Sequence, residues 1–223
     1  MPFIDIPTEQ TTAVTDLVMG CVTAYLAFDV WRRRSPDPWK GKLWTATFAF
    51  LTVAAWLGAV AHGFQMADGT RTLLWHPLNL CLGLTVGLFA VGALHDHGGE
   101  ALSRRVLPWA IASGVAFYGV TVLWSGTFFV FILYESVAII LALVFYARLA
   151  RAGAAGALAM AVGVAITLIA AVVQATKVVR VTWIWEFDHN GVFHLIQIVG
   201  LFAFLIGLRR ALAASGVGPE SSD

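Results

Sequence analysis

Charge is what this chain has least of. Asp, Glu, Lys and Arg make up 12% of its 223 residues, while 59% are hydrophobic; an ordinary soluble domain is about 25% charged. A soluble fold of this composition lacks the polar residues to coat its outside, so the chain reads as an integral membrane protein. A formal net charge of +1 supplies no basic stripe for phosphates, which excludes a nucleic-acid partner. Cysteine is scarce as well. Cys21 and Cys81 both fall in apolar runs without CxxC spacing, and read as free, buried thiols packing as small hydrophobes. Lysine occurs only as Lys40, Lys42 and Lys177, in loops or at a helix end, so a retinal-type Schiff base has no lysine inside a bundle. Residues 1–10 carry no Lys or Arg, so no cleavable signal peptide is expected and the first helix should act as its own insertion signal.

Long apolar runs take the place of charge. At about 20 residues per crossing, they fall near residues 12–31, 43–66, 73–94, 106–146, 154–176 and 190–208. The run at 106–146 divides in two at Trp124-Ser125-Gly126-Thr127, which reads as a tight turn. The expectation is an all-α, seven-helix transmembrane bundle in one domain, 1–212, followed by a short polar tail, 213–223. Of the 14 Lys and Arg, only Arg71, Lys177 and Arg180 fall on the amino-terminal side of that frame. Basic residues stay in the cytoplasm, which puts the amino terminus outside and the carboxyl terminus inside. Abundant Ala, Gly and Val and compact loops point to a bacterial inner membrane.

On this frame the polar residues converge on one depth. His62 ends the second span, His76 and Asn79 open the third, and His189, Asn190, His194 and Gln197 open the seventh. Asp16 lies early in the first span, Gln174 ends the sixth, and Glu135 lies roughly 13 Å down the fifth at 1.5 Å per residue. Ionisable groups inside hydrocarbon are costly and are functional candidates by default. Asn190, His194 and Gln197 recur at i, i+4 and i+7, one face of a helix. His76 and Asn79 share a face, with Pro77 suiting a first helical turn. Imidazoles from separate helices at one depth are a ligand set that zinc uses, with three protein ligands and a water in an open catalytic site.

Simpler roles compete with these. His76 beside Trp75 fits an interfacial aromatic belt. His189 beside Glu186 and Asp188 fits a loop or helix cap, and His95 and His97 around Asp96 fit a loop. Asp29 should pair with the Arg32-Arg33-Arg34 run. Glu135 and Gln174 could be interhelical hydrogen-bonding groups. His62 and His194 resist such accounts best, because apolar residues flank both.

Two stretches, Gly58-Ala59-Val60-Ala61-His62 and Asp188-His189-Asn190-Gly191-Val192-Phe193-His194, together with the helical frame, resemble the CREST superfamily of seven-helix intramembrane hydrolases. That superfamily includes alkaline ceramidases and adiponectin-receptor-like proteins. The resemblance implies zinc held by a helix-two histidine and a helix-seven H-x-x-x-H pair, with an Asp and a Ser nearby. Phe193-His194 matches the last step of that pattern. Asn190 stands in place of the first helix-seven histidine, Gly58 in place of the serine, and no Asp occurs early in helix three.

The resulting expectation is a zinc-dependent hydrolase of a lipid amide or ester bond, working in the outer half of the bilayer. His62, His194 and either His76 or His189 would hold the metal. Glu135 or Asp16 would accept a proton from the bound water. Asn190, Gln197, Asn79 and Gln174 would orient the ligands. The alternatives are haem held axially by His62 and His194, or a non-enzymatic receptor or transporter with a polar ligand or proton site. Gly83-x-x-x-Gly87 invites a close helix, within the chain or in a homodimer.

Overall fold

The computed structural model describes residues 1–33, 37–124 and 128–214. Among them lie six helices and one small hairpin: α1 (Pro7–Arg32), α2 (Pro38–Gly63), α3 (Asp68–Leu123), α4 (Phe128–Arg151), α5 (Ala157–Thr176), β1 (Val181–Thr182), β2 (Glu186–Phe187) and α6 (His189–Ala214). All six helices are long and apolar enough to cross a membrane, the composition of an integral membrane protein. Large apolar side chains such as Phe28, Leu133, Val172 and Phe202 stay exposed on their outer faces, where a bilayer rather than water would meet them.

Local chemistry sets the helix ends. Pro7 and Pro38 open α1 and α2, where a missing N–H costs nothing. Asp37 caps α2, its Oδ1 accepting the Lys40 N–H at 2.9 Å. Gly156, at φ +79, precedes α5.

The third helix departs from expectation. Residues 95–105, expected as a loop, are helical, and α3 runs for 56 residues with one break, at Gly99 (φ 81, ψ −178). That conformation is essentially restricted to glycine. A straight helix of this length would span about 84 Å. Instead the chain folds back at Gly99, so that Gly83 lies against the Gly114 carbonyl and Gly87 against that of Ala110. The arms 68–98 and 100–123 are therefore antiparallel neighbours, and the Gly83/Gly87 stripe packs against the second arm. The polar residues near the fold find partners within the bundle. His95 Nε2 lies 2.6 Å from Asp37 Oδ2 and its Nδ1 3.2 Å from Ser103 Oγ. His97, also helical, stacks on Phe145 at 4.5 Å.

Helix α3 begins at Asp68, so Pro77 sits inside it rather than in its first turn. Cys81 is buried as expected, but Cys21 is exposed on the outer face of α1. Residues 125–127 of the expected turn, and the expected tail from 215 onward, lie outside the described residues.

Packing runs α1 on α2, α2 on α3, α3 on α4, α4 on α5, α5 on α6 and α6 back on α1, closing a ring. The ring's core gathers Leu26, Trp44, Phe48, Tyr146, Met160 and Leu208. Small residues let α5 and α6 approach closely, with Gly163 beside Phe204 and the Gly200 carbonyl.

Candidate functional site

At the end of the ring where α1 and α6 begin and α2 ends, the polar side chains of the three helices meet. On α1, Glu9, Thr12 and Asp16 recur at i, i+3 and i+7, one stripe of the helix. His62 lies one residue from the end of α2, and its Nδ1 is 2.6 Å from Glu9 Oε2. The His62 ring stands edge-on to Trp75, centroids 5.7 Å apart, so its orientation is held from two sides.

His194 and Asp16 form the buried centre. His194 Nε2 is 3.2 Å from Asp16 Oδ1, and both side chains are more than nine-tenths buried. Thr15 Oγ1 lies 3.0 Å from His194 Nδ1 and 2.9 Å from the carbonyls of Thr11 and Thr12. With the Thr15 proton on either carbonyl, its oxygen accepts from His194 Nδ1–H. Nε2 then faces the Asp16 carboxylate at ion-pair distance. The pair sets an imidazole nitrogen beside a carboxylate, both shielded from solvent.

The start of α6 is anchored by Asp188. Its Oδ1 accepts the N–H groups of Asn190 at 2.9 Å and Gly191 at 3.1 Å, and the Thr12 hydroxyl donates to it at 3.3 Å. Thr11 Oγ1 donates to the Glu186 carbonyl at 2.6 Å, tying β2 to α1. One turn further along α6, Gln197 Nε2 donates to Thr167 Oγ1 at 3.1 Å, whose own proton goes to the Gly163 carbonyl. That assignment fixes the Gln197 amide with its oxygen turned away from Thr167.

Several of these groups line one end of a cavity of about 360 Å³. Asp16, His62, His189, Asn190, His194 and Gln197 contribute polar lining, while Met19, Phe48, Leu82, Phe89 and Phe204 are among its apolar walls. Glu135 reaches the cavity from α4, and Gln174 and Lys177 from the end of α5. Gln174 Nε2 also lies 3.4 Å from Asn190 Oδ1. Two acceptors on residues that line the cavity, Asp16 Oδ2 and Gln197 Oε1, are buried with no hydrogen-bond partner among the described residues. Such atoms are uncommon in native folds, and each costs about 1–3 kcal/mol if left unmet.

Not every expected residue belongs here. His76 and Asn79 are outside the cavity lining; His76 Nδ1 is 3.5 Å from the Tyr118 hydroxyl, within α3's own hairpin. His189, which its acidic neighbours suggested as a simple cap, lines the cavity instead, its Nδ1 3.8 Å from Asp188 Oδ2. Among the described residues no three His, Cys, Asp or Glu side chains gather closely enough to hold a metal ion. His62 Nδ1 meets Glu9, while His194 Nδ1 lies beside Thr15 and its Nε2 beside Asp16. Among the described residues these side chains therefore form no three-ligand zinc centre.

Glu9, Thr12, Thr15 and Lys177 were not among the residues singled out from sequence. The i, i+3, i+7 stripe on α1 carried a signal for Glu9 and Thr12. Nothing local marked Thr15 or Lys177. A second cluster, Ser103–His95–Asp37, has the residue types of a nucleophilic triad. Ser103 is fully buried, donating to the Glu100 carbonyl and accepting the Trp39 indole N–H, which makes the cluster a brace for the α3 fold-back.

A family profile matches residues 11–213, which takes in nearly all of α1 and every later helix. The chain belongs to DUF6962. This is a family of unknown function. No curated protein and no solved structure matches the chain. The DUF6962 match spans Asp16, His62, His194 and Gln197, while Glu9 falls just ahead of it.

Proposed function

We propose that this DUF6962 protein crosses the membrane seven times, with α3 crossing twice, the amino terminus outside, and a bacterial inner membrane as its location. Within that bundle it binds an amphiphile whose head group donates hydrogen bonds. The carrying observation is the pair of unmatched buried acceptors, Asp16 Oδ2 and Gln197 Oε1, on two residues that line the polar end of an apolar-walled cavity. A ligand head with N–H or O–H groups satisfies both atoms, and its hydrocarbon body fills the remaining space. Alkyl ligands of one chain length and different heads test this on purified protein in nanodiscs. Amine- and hydroxyl-headed ligands should bind, and trimethylammonium heads, which carry charge without a donor, should bind at least about tenfold more weakly. Equal affinity for all heads would refute the reading.

A second reading rests on the Asp16–His194 pair. With a lipid carbonyl bound beside them, His194 would take a proton from the attacking water and deliver it to the leaving amine or alkoxide during hydrolysis of an amide or ester bond, with Asp16 balancing its charge. Release of fatty acid from an N-acyl or O-acyl lipid by wild type, absent in His194→Ala, supports hydrolysis; equal turnover by both refutes it. No step of this reading uses a metal.

A further inference from the structure

Far along α1 and α6 from the cavity's polar end, a single carboxylate gathers three arginines. Asp29 is fully buried and accepts from Arg32 Nη2 at 3.1 Å, Arg33 Nε at 2.7 Å and Nη2 at 3.1 Å, and Arg209 Nε and Nη2, both at 3.0 Å. Arg209 Nη2 also donates to the Tyr25 hydroxyl at 2.8 Å. Three positive charges against one negative leave an excess of two. No other acid on these helices offsets it: α6 contains no Asp or Glu, and Asp29 is the only carboxylate in the second half of α1.

The guanidiniums lie toward the outer face of the bundle. Side-chain exposure is 54% for Arg32 and 39% for Arg209. Arg32 sits 5.8 Å from the centroid of the Phe28 ring and Arg209 6.0 Å from that of Tyr25. Both rings are exposed, as is Trp31 beside them. Asp29 takes the Nε/Nη2 edges of Arg33 and Arg209 and so holds the guanidiniums on an aromatic, apolar surface near the helix ends, leaving on each further N–H groups that it does not engage. Guanidinium forks match phosphate oxygens, and exposed aromatic rings of this kind belong at head-group depth.

We propose that the Asp29–arginine cluster binds the phosphate-bearing head group of an anionic membrane lipid. The flanking rings favour a lipid over a soluble phosphate, because they give its glycerol and upper acyl region an apolar surface. The proposal rests on the membrane reading of the chain and is independent of what the cavity holds.

The test is native mass spectrometry of the full-length protein from nanodiscs of phosphatidylcholine with a minor fraction of phosphatidylglycerol. Wild type should retain phosphatidylglycerol preferentially, and Arg32→Gln and Arg209→Gln should each cut that enrichment about fivefold. Arg32 and Asp29 share one helix, so Arg32→Gln leaves the α1–α6 tie through Arg209 intact. Asp29→Asn loosens the cluster but keeps every positive charge, and should retain the enrichment. Three results would overturn the proposal: no preference in wild type, full enrichment in Arg32→Gln, or loss in Asp29→Asn with none in the arginine variants. Displacement of the lipid by inorganic phosphate would assign the site to a soluble anion instead, and would also overturn it.

Discussion

The carboxylate of Asp16 occupies the space that a side chain on Gly58 would need. A Cβ at position 58 would lie 2.7 Å from Asp16 Oδ2 and 3.1 Å from its carboxyl carbon. The second span thus leaves a notch opposite the first so that a carboxylate can stand beside His194. Gly58→Ala should push Asp16 out of that notch. Because alanine is the better helix former by about 1 kcal/mol, the fold should hold or gain slightly while ligand affinity falls on the order of tenfold. Binding and thermal unfolding measured on the same preparation check both halves; a weaker fold with unchanged binding contradicts the prediction.

Gly156 is constrained twice. Its φ is +79, and a Cβ there would run into the carbonyl of Gly207. Gly153, at φ +75, faces open space, so it isolates the backbone cost of roughly 1–2 kcal/mol for a left-handed alanine. Gly153→Ala should lose about that much. Gly156→Ala should lose more, because α5 and α6 must also separate. Denaturant unfolding in detergent gives the comparison.

Lys40 and Asp96 form a buried ion pair at 2.7 Å, with the Tyr146 hydroxyl donating to Asp96 at 2.8 Å. Lys40→Met leaves that carboxylate without its cation and should cost roughly 3–5 kcal/mol. Lys40→Met with Asp96→Leu removes both charges and should recover a large part of the loss. Equal destabilisation by the single and double variants would show that the pair contributes nothing as a pair.

Asp37 lies in the loop ahead of α2, and burial there works against its charged form. The Lys40 backbone N–H and the hydrogen bond to His95 outweigh burial, and hold its carboxyl below the usual 3.8. A depressed carboxyl stabilises the fold above its unfolded value, and that contribution is lost as pH falls through the folded value. Wild type should therefore exceed Asp37→Asn in stability at neutral pH, and the gap should close below about pH 4. A gap that stays constant from neutral to acid would mean that Asp37 acts through packing rather than charge.

The membrane class and the helical runs could be read from composition and run length, since bilayer thickness sets a minimum length that any crossing helix must meet. The stripe Asn190, His194, Gln197 was legible for a related reason: helical periodicity is local. The long α3 was not. Its polar middle resembled a loop because the partners of His95 and Asp96 are Asp37, Lys40 and Tyr146, all remote in sequence. His76 shows the converse, a histidine at the expected depth whose ring lies beside Tyr118 instead of the cavity.

By itself, the sequence determined that this chain fills its length with apolar helices and carries imidazoles and carboxylates at matching positions along them. Only the tertiary structure decided which of those groups meet. Asp16 reaches His194 across 178 residues of chain, and Glu9 reaches His62 across 53. The rotation of each helix about its own axis makes those pairings. That rotation follows from how glycine notches and aromatic side chains pack around the whole ring, which no single helix encodes.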